Sequence, residues 1–165
     1  MTQQQALDPL IPKSLIDSMK DAFSIQASTP VEIVGAKIAP AEDLSKGIDI
    51  VSVIGIQSSN LVGSVALCFP AATFLGIVNK MLGESYDVIT SENSDAAGEL
   101  LNIIYGAARV RMNTAGHDFK PAIPTVVKGN EISVNHSGNP TMVRILCKTE
   151  AGQFHLEVSL KRSAV

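Results

Sequence analysis

Several classes of protein are excluded by what this chain lacks. It has two cysteines, Cys68 and Cys147, and three histidines among 165 residues. Each cysteine sits in a strand-like apolar run, which reads as a small buried hydrophobe in a reducing compartment. His117, His136 and His155 fall far apart in the sequence without zinc-ligand spacing, so surface histidines and no metal on this chain are expected. The basic residues are scattered and the formal net charge is −3; a phosphate backbone needs a concentrated cationic footprint, so no nucleic-acid partner is expected. No run approaches the roughly 18 apolar residues of a membrane-crossing helix. The opening MTQQQALDPLIPKSL lacks the basic segment and apolar run of a signal peptide, and a cytoplasmic protein is the expectation. Also missing are a Gly-rich phosphate loop ending in Lys-Ser/Thr, a GxGxxG turn, a serine in a nucleophile elbow and a cysteine at a helix start.

What is present is an ordinary globular composition, 45% apolar and 18% charged. One domain over residues 1–165, with the first ten frayed, is the economical reading. Leu15, Ile16, Met19, Ala22 and Phe23 repeat at helical spacing and predict a helix from about Pro12 to Ala27, stopped before Pro30. Val31 to Ile38 reads as a strand and Pro40 to Gly47 as a loop. Ile48 to Gln57 is apolar on both alternating faces, as in a central strand; Gln57 to Asn60 turns the chain into a strand from Leu61 to Phe69. Pro70 suits a first helical position, and Gly83 suits a left-handed stop to that helix. A polar connector, Glu84 to Asn93, leads to a long helix ending near Gly116. Pro121 to Lys128, twice interrupted by proline, reads as an edge or loop-like segment, and Glu131 to Asn135 as a short strand. Thr141 to Lys148 and Gln153 to Lys161 should form a hairpin, with Phe154, Leu156, Val158 and Leu160 buried and His155, Glu157, Ser159 and Lys161 wet. The order implies an α+β fold, a mostly antiparallel sheet with helices packed against it.

The long helix carries the functional signal. Ala97, Leu100, Leu101, Ile104, Ala108 and Met112 form a continuous apolar face. Asp95, Glu99, Asn102, Gly106, Arg109 and Asn113 stack on one polar line at four- and three-residue steps. Such a narrow seam on a buried helix has to face something specific. Glu99 and Asn102 place a charged acceptor one turn from an amide that both donates and accepts. Gly106 lets a partner approach closely, though close helix packing would also explain it. Asp95 lies towards the positive end of the helix dipole.

These residues resemble a family. Asp95-Ala96-Ala97-Gly98-Glu99-Leu100-Leu101-Asn102, then Gly106-Ala107-Ala108-Arg109 and Phe119-Lys120-Pro121-Ala122-Ile123-Pro124, look like the CheX branch of the CheC/CheX/FliY chemotaxis phosphatases. The family pattern is Asp or Ser, three residues, Glu, two residues, Asn, then a proline some twenty residues on. Asp95, Glu99 and Asn102 match, and 21 residues separate Asn102 from the matching Pro124. The likeness extends to the Ile50–Ile56 strand, Gly63-Ser64-Val65, Phe69-Pro70 and Glu157-Val158-Ser159-Leu160-Lys161. It implies dephosphorylation of a CheY-type receiver domain, with Asn102 orienting the attacking water and Glu99 ion-pairing to the receiver's lysine. Asp95, Gly106 and Pro124 would contact the partner. Mg²⁺ would be held by the receiver, with no cofactor on this chain. Only one such helix is found, which favours the CheX branch and, by the same resemblance, a homodimer formed through sheet edges. The rivals are a non-catalytic receiver-binding or scaffold protein of the same fold, as in the flagellar switch, and a small-molecule enzyme with a pocket near the seam.

Overall fold

The first helix, α1 (Leu10–Ala27), buries Ile11, Leu15, Met19, Ala22 and Phe23 along one stripe, and Ser28 ends it in the left-handed conformation with φ 46°. The N–H groups of Ser28 and Thr29 both reach back to the carbonyl of Phe23, so the last turn closes before Pro30 forces the chain out. The computed structural model describes residues 7–40, 46–136 and 141–164.

After α1 come strands β1 (Glu32–Pro40), β2 (Ile50–Gln57) and β3 (Leu61–Phe69), helices α2 (Ala71–Leu82) and α3 (Ser91–Thr114), then β4 (Thr125–Lys128), β5 (Thr141–Thr149) and β6 (Gly152–Arg162). The strands form one sheet in the order β1-β5-β6-β3-β2-β4, and every pairing is antiparallel. The α+β expectation holds. β4 is an edge strand, with Pro121 and Pro124 in the irregular chain before it, and β1 is the other edge.

The three helices cover one face. Their buried residues join Ile50, Ile54, Ile56, Val65, Leu67, Phe69, Ile145, Leu156 and Val158 in the main core. At its centre the ring of Phe154 lies 5.0 Å from those of both Phe23 and Phe69, stacked nearly parallel on the first. The other face carries a smaller apolar group, Ile48, Val51, Ala66 and Cys68, under Ile132 and Val134.

Several local readings need correction. Pro70 is not the first helical residue but the N-cap of α2, extended at ψ 148°. The Ala71 N–H beyond it is satisfied by Oδ2 of Asp49 at 2.8 Å, an acceptor distant in sequence. The polar connector is shorter than expected, because α3 begins at Ser91. Asn93 explains this: its side chain accepts from the Thr90 N–H at 2.9 Å and donates to the Val88 carbonyl at 2.9 Å. That is half of a capping box. Residues 131–135 form no strand; Glu131 has φ 52°, and the segment lies as irregular chain over the second face. That cover overturns the expected wet side of β6, since His155 is 6% exposed and Glu157 and Ser159 are 1% exposed. Most of the loop expected over Pro40 to Gly47 lies outside the described residues, as do residues 1–6 of the expected frayed start and residues 137–140, in a segment (135–141) that sequence comparison with the family marks as idiosyncratic.

Candidate functional site

α3 presents the polar seam as an accessible line. Asp95, Glu99 and Asn102 are exposed, while Gly106, Arg109 and Asn113 are half-buried. The opposite side of the helix is core, with Leu100, Leu101, Ile104, Ala108 and Met112 all fully buried. Glu99 and Asn102 lie about 4.5 Å apart along the helix axis. Among the described residues neither side chain has a hydrogen-bond or ion-pair partner. A carboxylate and an amide are thus held out from a rigid element with all their bonding capacity free.

The glycines on α3 divide cleanly. A Cβ on Gly98 would lie 2.9 Å from Cγ2 of Val126, so that glycine lets α3 seat against β4. A Cβ on Gly106 would meet nothing within 4 Å. The close-packing explanation therefore belongs to Gly98, and no contact among the described residues accounts for Gly106.

The far end of the seam is structural. The Asn113 side chain donates to the Phe119 carbonyl at 3.1 Å and accepts from the Phe119 N–H at 2.8 Å. One turn-pair earlier, the Tyr105 hydroxyl donates to the Lys120 carbonyl at 2.6 Å. Lys120 N–H bonds the carbonyl of Gln57 at 2.8 Å, and Asp118 Oδ1 accepts from the Ser59 N–H at 3.0 Å. The segment after α3 is sewn to the helix on one side and to the β2–β3 turn on the other. It then delivers half-buried Pro124 immediately before β4, the strand against which Gly98 packs. Sequence reasoning missed Gly98, Tyr105 and Asn113; the only available signal was Asn113 falling on the stripe.

The cysteines and histidines are arranged less simply than their spacing suggested. Cys68 and Cys147 are free and buried; burial raises both thiols, that of Cys147 to about 12. His117 lies near the surface, 3.0 Å from Asp8. His136 and His155 are not surface residues. Their Nε2 atoms lie 3.6 and 3.7 Å from the two oxygens of Glu157, and Arg144 lies 3.4 Å from Oε2. Burial pushes His155 down to about 4. Its imidazole is therefore neutral near pH 7, and its approach to Glu157 is a contact rather than an ion pair.

The profile of the chemotaxis phosphatase CheX family matches residues 50–148, well over half of the chain and all of the seam. The chain belongs to the CheX family. It is 26% identical over 149 residues to the CheY-P phosphatase CheX of Thermotoga maritima, covering 90% of this chain and 91% of that one. The crystal structure of CheX from Desulfovibrio desulfuricans superposes with a TM-score of 0.80 at 27% identity, over 93% of this chain and 99% of its own. A chain of the Borrelia burgdorferi CheX–CheY–BeF3–Mg²⁺ complex superposes with a TM-score of 0.72 over 92% of this chain and 97% of its own. At 16% identity, that last likeness is one of fold. Among the described residues no helix is long and apolar enough to cross a membrane.

Proposed function

We propose that this chain dephosphorylates the phosphoaspartate of a CheY-type receiver domain. The observation that carries the reading is the free, exposed Glu99–Asn102 pair beside the open face of Gly106, on a helix of the CheX family. Asn102 enters the receiver's site and holds the attacking water in line with the phosphoryl group. An amide suits this role because phosphoryl transfer is limited by positioning and electrostatics more than by proton abstraction. Glu99 docks the receiver's lysine through a charge-assisted bond, while Asp95 and Pro124 border the same contact and Gly106 admits the partner's backbone. The receiver brings the Mg²⁺, so the reaction asks for no metal on this chain. The working assembly is a homodimer in the cytoplasm, and each 1–165 unit acts as one domain with one site.

The test is loss of the phosphoryl group from a phosphorylated receiver with Mg²⁺. Asn102→Ala should lower kcat by about 10²-fold, and Glu99→Ala should chiefly raise KM, by about tenfold or more. Both sites are exposed, so neither change should move stability by more than about 0.5 kcal/mol. Hydrolysis by Asn102→Ala at the wild-type rate would sink this mechanism. If the wild type binds the receiver without speeding hydrolysis, the chain is instead a scaffold.

A further inference from the structure

The sheet face away from the helices gathers donor atoms that the phosphatase reading does not use. Cys68 on β3 and His155 on β6 are cross-strand partners, and Glu157 follows two residues later on the same face. One ligand atom from each lies within 4.8 Å of the other two, and all three side chains are buried. His136 approaches the same carboxylate from the segment covering this face, with Nε2 3.6 Å from Oε1 of Glu157, and stands outside that mutually close trio. Both histidine Nε2 atoms are buried and, among the described residues, have no hydrogen-bond partner. Buried nitrogens left unpaired are costly and uncommon, so two aimed at one carboxylate call for a common cause.

The surroundings suit metal ligation. Nδ1 of His136 lies 2.6 Å from Oγ of Ser64. With Nδ1–H donating to that hydroxyl, the Nε2 lone pair faces Glu157, the arrangement by which an outer hydrogen bond orients a ligating imidazole. Arg144 approaches Oε2 of Glu157 at 3.4 Å, the same oxygen that His155 faces, and so competes with a cation there. Separations of 3.6 and 3.7 Å between nitrogen and oxygen are too long for hydrogen bonds but near those between ligands sharing one small cation. One sulfur, two imidazoles and a carboxylate select Zn²⁺ over Mg²⁺ or Ca²⁺.

We propose that Cys68, His136, His155 and Glu157 form a structural Zn²⁺ site that pins the 129–136 segment to the outer face of the sheet. Binding exchanges the Cys68 S–H bond for an S–Zn bond and releases the proton to solvent; the histidines bind as neutral imidazoles and Glu157 as a carboxylate. The covering segment is tied to the strand entrance by Gly129 N–H to the Asp49 carbonyl at 2.9 Å and Ile132 N–H to the Ile48 carbonyl at 2.6 Å. Its local opening supplies an entry path. The site lies on the opposite face from Asn102, so it stands or falls independently of the phosphatase reading, and it departs from the expectation of no metal on this chain.

The competing account is a buried Arg144–Glu157 ion pair with two histidines packed around it. The metal-stripped full chain is titrated with Co²⁺ and then Zn²⁺. A single equivalent of Co²⁺ should produce a thiolate charge-transfer band and tetrahedral d–d absorption, both lost when Zn²⁺ displaces it. Cys68→Ser should abolish the charge-transfer band and Cys147→Ser should retain it. Ser64→Ala should weaken Zn²⁺ binding by about tenfold. Arg144→Met separates the accounts even if the cysteine variant fails to fold. With a metal site, removal of the competing cation tightens Zn²⁺ binding, and Zn²⁺ restores the variant's Tm. With an ion pair alone, the variant stays destabilised whether Zn²⁺ is present or not. That result, absence of stoichiometric Co²⁺ binding by the wild type, or a charge-transfer band surviving Cys68→Ser would overturn the proposal.

Discussion

Gly98 and Gly106 sit on the same helix for opposite reasons, and the difference can be measured. A methyl group on Gly98 must displace Val126, whereas one on Gly106 enters open space. Gly106→Ala should therefore realise the full helix-propensity gain of about 1 kcal/mol, raising Tm by about 2–4 °C. Gly98→Ala should show no such gain, because overpacking opposes it. In the proposed site Gly106→Ala should still raise KM for the phosphorylated receiver. A variant that is more stable and docks as well as the wild type would show that the open face of Gly106 is not used. At this scale Glu99 and Asn102 were legible in the sequence, since helical spacing alone placed them on one line. The role of Asn113 was not, because its partners are backbone atoms of Phe119, and nothing in a sequence announces where a loop's carbonyl will lie.

Between elements, the segment from His117 to Pro124 determines how α3 and β4 meet. It is anchored by Asn113 and Tyr105 on α3 and by Gln57 and Ser59 at the β2–β3 turn. Asp118 is held below its usual range, first by the Ser59 backbone N–H, then by the Ser59 hydroxyl and Lys120. A depressed folded value means that its contribution is complete above the unfolded value near 4 and is lost as pH falls through the lower folded value. Acidification should release the Ser59 amide before the sheet opens, read as faster hydrogen exchange at Ser59 while the β2 and β3 core amides stay protected. Unchanged Ser59 protection throughout the acid range would count against this anchor. The start of α3 was misplaced for a similar reason. Asn93 looks like connector polarity in one dimension, but its amide closes the first turn. Residues 131–135, expected as a short strand, carry Ile132 and Val134. Those side chains instead pack on Ile48, Val51, Ala66 and Cys68 without joining a ladder.

For the whole molecule, the two sheet edges are not equivalent. β4 borders the seam through Gly98 and Val126, so under the proposed function this edge stays open to a receiver and is a poor place for a second copy. β1 is longer, and on it Ile38 is 77% exposed. A long edge strand with exposed apolar side chains invites pairing, and the proposed homodimer would use it isologously. Ile38→Lys, a charge of the kind that blocks edge pairing, should convert dimer to monomer in sedimentation equilibrium while leaving the far-UV spectrum unchanged. Wild-type protein sedimenting as a monomer, or dimers unaffected by the lysine, would remove β1 as the interface.

The sequence by itself determined the element order apart from the strand expected at 131–135, the α+β architecture and the polar line on α3. Each follows from local periodicity and from turn or stop residues such as Pro30 and Gly83, whose physics acts over a few neighbours. Tertiary structure alone decided what happens where distant segments meet. It turned the apparently wet side of β6 into a buried polar cluster, because a covering segment some twenty residues earlier removes it from water. It also brought His136 and His155 to the same carboxylate and separated the packing glycine from the open one. Alternation along a strand states which side chains share a face; it does not state what lies over that face.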